Sequence, residues 1–452
     1  MLKSPSNPKG TRDFLPLTLS RRNYILDIIK YNFKLFGFLE IETPALEKSS
    51  TLLGKYGNEG DRLVFKILNS GDKIKKADMI ALEQSNLSTF TNSISEKGLR
   101  YDLTVPLARF VAQHQNDLVF PFKRFQIQNV WRADRPQHGR FQEFTQCDAD
   151  VIGSKSIVQE IELIKLYDSV FSQLGFDDLI FKINHRNILT ALANYMGAKS
   201  KLNEFISIID KLDKIGIENV VIEVKNLIKN VSVSKLSNLL SEKEISILKL
   251  NKLFGESSLA KRGIDELNTI LEFISDNKCI KNEIKLDITL ARGLNYYTGT
   301  IIEVISKSNR AIGSLGGGGR YDNLTSLFNL KNTSGVGISF GLDRIYLDME
   351  EKNMFPVDLG SHFDIMIINF GINYIKKLYP LIDLLRQNGK KISIYPDKAK
   401  LNKQFSYADK HKISKAIIMG ENESDNNEII IKNMITGTQS NHSISEVNST
   451  LF

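Results

Sequence analysis

Nine residues, Arg132-Ala133-Asp134-Arg135-Pro136-Gln137-His138-Gly139-Arg140, place three arginines in one short polar run. Each guanidinium is a planar, permanently charged fork that matches two phosphate oxygens at once. Three of them held between strand ends could grip a polyphosphate; the alternative is a solvated hairpin tip. A second candidate is Ala291-Arg292-Gly293-Leu294-Asn295-Tyr296-Tyr297-Thr298-Gly299, just ahead of the apolar stretch Thr300 to Ile305. It sets another arginine beside two tyrosines and two glycines, and glycine permits backbone shapes or ligand approach closed to other residues. Strand alternation through this run would send one tyrosine into a pocket and pack the other behind it. The alternative is a packed strand with an exposed arginine.

Three further groupings have chemical potential. In Arg100-Tyr101-Asp102-Leu103-Thr104-Val105-Pro106, the carboxylate of Asp102 and the hydroxyl of Thr104 lie two apart, on one side of an extended segment, where they could bind an ammonium group. Equally, Asp, Thr and an early Pro are helix-start signals, and capping is the better reading of these residues alone. Gly316-Gly317-Gly318-Gly319-Arg320-Tyr321-Asp322 is not a phosphate-binding loop of the Gly-Lys-Ser/Thr type. It suits a flat ligand lying on bare backbone, or else a tight turn. Gly341-Leu342-Asp343-Arg344 puts an arginine at the start of a helix. There is no nucleophile elbow and no Cys/His spacing for zinc.

The elements that must position these groups follow from periodicity. Ile25, Ile28, Ile29, Phe33 and Phe36 predict an amphipathic helix over 18–36, stopped by Gly37. Short strands are expected at 38–43 and 65–68, then a polar insertion to Gly98 with little apolar periodicity. Residues 124–131 and 141–152 read as antiparallel strands joined by the arginine-bearing loop, and 157–174 as a strong helix. From Asn187 to Ile280 glycine becomes sparse and Leu, Ile and Lys recur at helical spacing, which predicts a helical insertion domain. Strand patterns resume at 283–288, 300–305 and 335–340, followed by a helix at 342–351. After a boundary near 353–361, strands and helices alternate (363–370, 372–388, 391–395, 401–411, 415–419, 428–432), which predicts a small α/β domain with a largely parallel sheet. Pro380 is awkward inside its helix and would kink it or mark its start.

The fold class is therefore α/β with an α+β core, in four segments: 1–186 and 283–352 forming the core, 187–282 inserted, and 361–452 as a separate domain. A chain of 452 residues with 42% hydrophobic and 25% charged residues is ordinary for a soluble protein of several domains. No apolar run approaches the ~18–20 residues of a membrane helix, and residues 1–14 contain no apolar signal core. Two cysteines, Cys147 and Cys279, exclude a disulfide framework, so a cytoplasmic address is the default expectation. Sixty Lys and Arg against 52 Asp and Glu give +8, which permits an acidic partner such as nucleic acid without requiring one.

In order and spacing these groupings resemble the class II aminoacyl-tRNA synthetases, and within them the histidyl-tRNA synthetase family, over almost the whole chain. Lys9-Gly10-Thr11-Arg12-Asp13 looks like the family's amino-terminal signature; Gly37 to Pro44 resembles motif 1, Phe125 to Asp150 motif 2 and Gly335 to Ile345 motif 3. The run at 291–299 resembles the family's histidine-specific motif. The resemblance implies an antiparallel catalytic sheet flanked by helices, a homodimer with Pro44 near its interface, an insertion that embraces the tRNA acceptor arm, and a C-terminal α/β anticodon-binding domain. It also implies the activity of a histidine–tRNA ligase. Histidine and ATP, with Mg²⁺, form histidyl-adenylate and pyrophosphate; the histidine then passes to the 3′ end of tRNA(His).

Residue roles are implied in the same way. Arg132 and Arg292 would hold the α-phosphate of ATP from opposite sides, as the catalytic pair, and Arg344 the γ-phosphate with help from Arg140. The segment Asp102-Leu103-Thr104 and Gln146 would bind histidine, with Asp102, Thr104 and Gln146 at its α-amino end. Asp150, Tyr296 and Tyr297 would shape the imidazole pocket, and Arg135 and Gln137 would touch tRNA. Two letters depart from the family pattern: Asn295 stands for a common aspartate, and Gln142 for an arginine common in bacterial members. The chemistry suits these residue types. A free α-carboxyl, with a pKa of roughly 3.3–3.7, is already ionised and needs no general base, so the work is positioning and charge neutralisation. A pocket pairing both imidazole nitrogens rejects apolar rivals by roughly 10⁴–10⁵, so no editing domain is required. The rival readings are a non-catalytic paralogue, the regulatory subunit of ATP phosphoribosyltransferase, and a threonyl, prolyl or glycyl enzyme sharing the last domain. Retention of Arg132, Arg292 and Arg344, and the Tyr296-Tyr297 pair, speak against both.

Overall fold

The computed structural model describes residues 5–55, 57–228, 232–242, 245–291, 296–360 and 363–446. Two compact units divide the chain: Met1–Asp13 with Arg22–Met354, and Phe14–Arg21 with Phe355–Phe452. No helix among the described residues is long and apolar enough to cross a membrane.

The strands of the first unit are, in chain order, β1 (Leu39–Glu40), β2 (Leu46–Lys48), β3 (Lys66–Ile67), β4 (Lys97–Leu99), β5 (Phe122–Trp131), β6 (Glu143–Ile152), β7 (Leu179–His185), β8 (Glu283–Leu286), β9 (Thr300–Ser306), β10 (Ser314–Tyr321) and β11 (Gly335–Gly341). Eight of them form one sheet in the order β1-β5-β6-β11-β10-β9-β7-β8, while β2-β4-β3 makes a small separate sheet. All pairings in the large sheet are antiparallel except β1 with β5 and β7 with β8. The antiparallel pairing expected for 124–131 and 141–152 is present, within the antiparallel-rich sheet that the family resemblance implies.

Alternation along β5, β6 and β11 gives the sheet two unlike faces. Phe125, Cys147 and Phe340 point to the back, where Phe33 from the helix Pro16–Leu35 and Tyr167 and Phe171 from the helix Val158–Gln173 cover them. Ring centroids lie 5.2 Å apart for Phe33–Phe125, 5.8 Å for Phe33–Phe340 and 4.7 Å for Tyr167–Phe340. The spacing Ile25, Ile29, Phe33 predicts this burial, and all three are fully buried. The opposite face carries Gln126, Gln146, Asp148 and Asp150, whose polarity marks it as the wall of a site rather than a core.

The polar insertion before Gly98 is more ordered than its weak periodicity suggests. Short helices at Met79–Glu83 and Leu87–Ile94 are capped by Asp78, accepting from the Ala81 amide, and Asn86, accepting from the Thr89 amide. Side-chain caps, not an apolar stripe, define these turns. Between β7 and β8 the chain is helical from Arg186 to Asn277 among the described residues.

In the second unit, β12 (Ile365–Ile367), β13 (Ile392–Ile394), β14 (Lys415–Ile418), β15 (Glu428–Asn433) and β16 (Gln439–Ser443) form a sheet ordered β13-β12-β14-β15-β16. The largely parallel sheet expected from alternation is corrected to a mixed one. β13, β12 and β14 are parallel, but β14-β15-β16 is antiparallel. The links after β14 and β15 are shorter than the dozen or so residues a parallel crossover needs. Pro380 lies inside the helix Ile372–Gln387, which continues through it.

Candidate active site

The polar face of the sheet opens on a cleft of about 1000 Å³. Its lining includes Asp102, Thr104, Arg132, Arg140, Gln146, Asp150, Tyr296, Tyr297 and Arg344, so most of the site residues singled out in the sequence meet in one place. Arg292 and Asn295, with Gly293 and Leu294, lie outside the described residues. Leu103 is not among the residues lining the cleft, and its side chain is fully buried. Arg135 and Gln137 sit exposed on the loop between β5 and β6, where Gln137 pairs with Arg140 in an isolated bridge.

Arg132 emerges at the end of β5 and is held on three sides. Its Nε donates to the Tyr101 carbonyl at 3.1 Å, and its guanidinium lies 4.3 Å from the Tyr101 ring centre and 5.0 Å from that of Phe144. Aromatic faces orient a guanidinium and leave its outer edge to bind. Arg344 follows β11: Nε donates to the Gly139 carbonyl at 3.1 Å and Nη1 to the Ser314 carbonyl at 3.0 Å. Its neighbour Asp343 is gripped by Arg12 at 2.6 Å and by Arg22, while the Arg12 guanidinium stacks 3.2 Å from the Phe141 ring centre. The amino-terminal signature thus braces the segment that carries Arg344. Arg140 is less constrained, 4.0 Å from Asp134.

The far end of the cleft is built from buried polar groups. Asp150 Oδ2 pairs with Arg124 Nη2 at 2.7 Å, and its Oδ1 accepts from the Tyr321 hydroxyl at 2.5 Å. Burial pushes the Asp150 carboxyl above its ordinary value, with Arg124 and the Tyr321 hydroxyl opposing that shift. A Cβ on Gly337, its cross-strand neighbour, would stand 1.9 Å from Asp150 Oδ1. Only glycine admits the carboxylate there.

Asp102 Oδ1 accepts from the Val105 amide at 3.1 Å, and the helix starts at Thr104. The helix-start reading preferred from the sequence is the one found, and Asp102 both caps the helix and lines the cleft. The alternation expected for Tyr296 and Tyr297 is corrected. Both precede β9, and both line the cleft with ring centres 4.8 Å apart. Burial first, then the neighbouring Tyr297 and Asp102, keeps the Tyr296 hydroxyl protonated, and it bonds to Thr104.

The glycine run is an interior strand, not a turn, because it is β10. A Cβ at Gly319 would fall 2.9 Å from the Tyr297 ring, so absent side chains make room for the tyrosine. Gly316 and Gly317 also contribute to the lining. Residues given no role in the sequence reading complete the wall, Phe144, Asp148 and Ser339 among them, together with Tyr321 from the glycine run. The period-two series Gln146, Asp148, Asp150 was the available signal, since strand alternation places all three on one face.

Comparison with known proteins matches this arrangement. The large antiparallel-rich sheet with flanking helices is the fold of a class II aminoacyl-tRNA synthetase, and the histidyl-tRNA synthetase of Nostoc sp. PCC 7120 shares that fold. That structure is 28% identical, superposes with a TM-score of 0.80, and is matched over 97% of this chain and 96% of its own. A family model described as histidyl-tRNA synthetase matches residues 90–345, and one described as an anticodon binding domain matches 364–451. Proteins named histidine–tRNA ligase from Christiangramia forsetii and Flavobacterium johnsoniae are 50% and 49% identical, with 98% and 97% of each chain covered. The chain belongs to the histidyl-tRNA synthetase family.

Proposed function

We infer that this chain is a ligase that activates L-histidine with ATP and transfers it to the 3′ end of tRNA(His). The observation that carries the reading is the convergence of Arg132 and Arg344 at one end of a single cleft with Asp150, Tyr296 and Tyr297 at the other. An ionised α-carboxylate can attack the α-phosphorus directly and expel pyrophosphate. The chain's part is then to hold both reactants in line and to neutralise charge on oxygen. Arg132, clamped between two rings, and Arg292 serve as the catalytic pair at the α-phosphate; Arg344 and Arg140 hold the outer phosphates. The Phe144 face, beside Arg132, offers a stacking surface for a purine.

Histidine lies with its α-amino end at Asp102, Thr104 and Gln146 and its imidazole against Asp150, Tyr296 and Tyr297. Mg²⁺ enters bound to the polyphosphate of ATP and offsets its charge. No group of three or more His, Cys, Asp or Glu side chains suited to a metal occurs among the described residues, which fits an ion carried by substrate. Arg135 and Gln137, exposed on the loop between β5 and β6, touch the tRNA acceptor end. The helices of 187–282 embrace the acceptor arm, and the last domain, taken as 361–452, reads the anticodon. The protein works in the cytoplasm as a homodimer through motif 1. Support for the dimer is the short edge strand β1 and the exposed Tyr31, Leu35, Leu39, Leu46 and Val119 in the chain around it.

Amino-acid-dependent pyrophosphate exchange tests the reading. Exchange should occur with histidine and with no other amino acid; exchange with threonine or glycine instead would refute it. Arg292→Ala should lower adenylate formation by orders of magnitude, and a near-wild-type rate would remove Arg292 from the catalytic pair.

A further inference from the structure

On the cleft face of β6, Gln146 and Asp150 have proposed partners in histidine, whereas Asp148 between them has none. Asp148 is only 2% exposed, and its Oδ1 finds no hydrogen-bond partner among the described residues; the same holds for Gln146 Oε1. Ser339, opposite Asp148 on β11, fixes how both are presented. Gln146 Nε2 donates to Ser339 Oγ at 3.2 Å, and Ser339 stands directly across the strands from Asp148. A serine has one proton to give. With Gln146 Nε2 donating to Ser339 Oγ, that proton is left for the Asp148 carboxylate opposite, and the amide oxygen lies on the side away from Ser339.

The result is two buried, unpartnered acceptors, one of them a carboxylate, on residues that line the cleft. Buried acceptors are almost always paired in a functioning protein. Arg124, a nearby cation, is already engaged with Asp150. What fits is a cationic group rich in N–H donors, and an ammonium carries three. Neutral imidazole has a single N–H and cannot serve both Asp150 and this pair.

We propose that Asp148 is a ligand of the substrate's α-ammonium, receiving one of its protons on Oδ1 while Gln146 Oε1 receives another. The proposal rests on reading the cleft as the histidine pocket. Asp102 and Thr104 complete the cage, so that a donor group with three protons meets acceptors from β6 and from the start of the helix Thr104–Gln113. Asp148 is then a selector for free α-amino acids, acting at a different atom from the residues that select imidazole.

The test uses full-length Asp148→Asn and Ser339→Ala in histidine-dependent pyrophosphate exchange, with two competitive inhibitors. Histidinol keeps the ammonium and loses the carboxylate; 3-(imidazol-4-yl)propionate keeps the carboxylate and loses the ammonium. Asp148→Asn should raise the KM for histidine and the inhibition constant of histidinol together, by about tenfold or more, the loss expected when a charge-assisted bond goes. The constant for imidazolylpropionate and the KM for ATP should stay within about twofold. Ser339→Ala, which only frees the orientation of the two acceptors, should shift the same two constants by less. An unchanged histidine KM in Asp148→Asn, or equal weakening of both inhibitors, overturns the proposal. If the wild-type protein itself shows no histidine-dependent exchange, the functional reading fails instead.

Discussion

Arg344 Nε and the carbonyl of Gly139 are joined by a 3.1 Å hydrogen bond across 205 residues of chain. The arginine that follows β11 therefore holds the turn of the loop between β5 and β6, and a second bond to the Ser314 carbonyl at 3.0 Å fixes its plane. One guanidinium thus ties the loop between β5 and β6 to the start of β10, at the end of the cleft proposed to bind phosphate. Arg344→Lys keeps the charge but loses the fork that spans both carbonyls. The KM for ATP in pyrophosphate exchange should rise roughly tenfold or more, with that for histidine little changed. Equal effects on both would show that Arg344 supports the whole cleft rather than the phosphate end.

Arg124 and Asp150 form a fully buried ion pair at 2.7 Å. Removing one member of such a pair strands the other charge and typically costs about 3–5 kcal/mol. Arg124→Met should lower the unfolding free energy by about that much near neutral pH, read from the denaturant midpoint. The Asp150 carboxyl, already raised by burial, loses the cation that opposes that rise. The variant should therefore recover part of its loss on acidification, as Asp150 becomes neutral.

Much of this site was readable from residue order. The loop residues Arg132 and Arg140, and Arg344, stood out by type and do meet in one cleft, and antiparallel β5 and β6 followed from two apolar runs around a polar loop. What stayed hidden was side-chain traffic across strands. Nothing local in the glycine run tells that Gly319 clears space for Tyr297, or that Gly337 clears space for Asp150; those clashes depend on register. Likewise Asp148 looks like any strand residue until Ser339 is placed opposite it. The short helices before Gly98 escaped because their caps, not an apolar stripe, specify them.

Arg135 is exposed on the loop between β5 and β6, apart from the arginines that line the cleft. A phosphate contact from tRNA would make its removal a binding defect with no chemical one. Arg135→Ala should leave pyrophosphate exchange near wild type and weaken tRNA charging. The plot of log affinity against log salt should flatten by roughly 0.7–0.9, the contribution of one phosphate contact. An unchanged slope would place Arg135 away from the nucleic acid.

Asp148 ties the chemistry of the pocket to the stability of the fold. Burial above all, with Asp150 and Asp102 adding to it and Arg124 and the Ser339 hydroxyl opposing, raises its carboxyl to about 7. The unfolded chain would release that proton near 3.9. A raised carboxyl means the folded form holds its proton more tightly, so the group's cost is absent below the unfolded value and complete above about 7. At pH 8 the wild-type protein carries a penalty on the order of 4 kcal/mol from this residue at most. Asp148→Asn has no charge to bury. Its Tm without ligand should exceed that of the wild type at pH 8, and the two should converge as pH falls toward 4. Saturating histidine should reverse the order at pH 8, because its ammonium compensates the carboxylate and leaves the asparagine without a charge partner. A variant less stable than the wild type at pH 8 in the absence of ligand would mean that Asp148 holds the fold together rather than waiting for a cation.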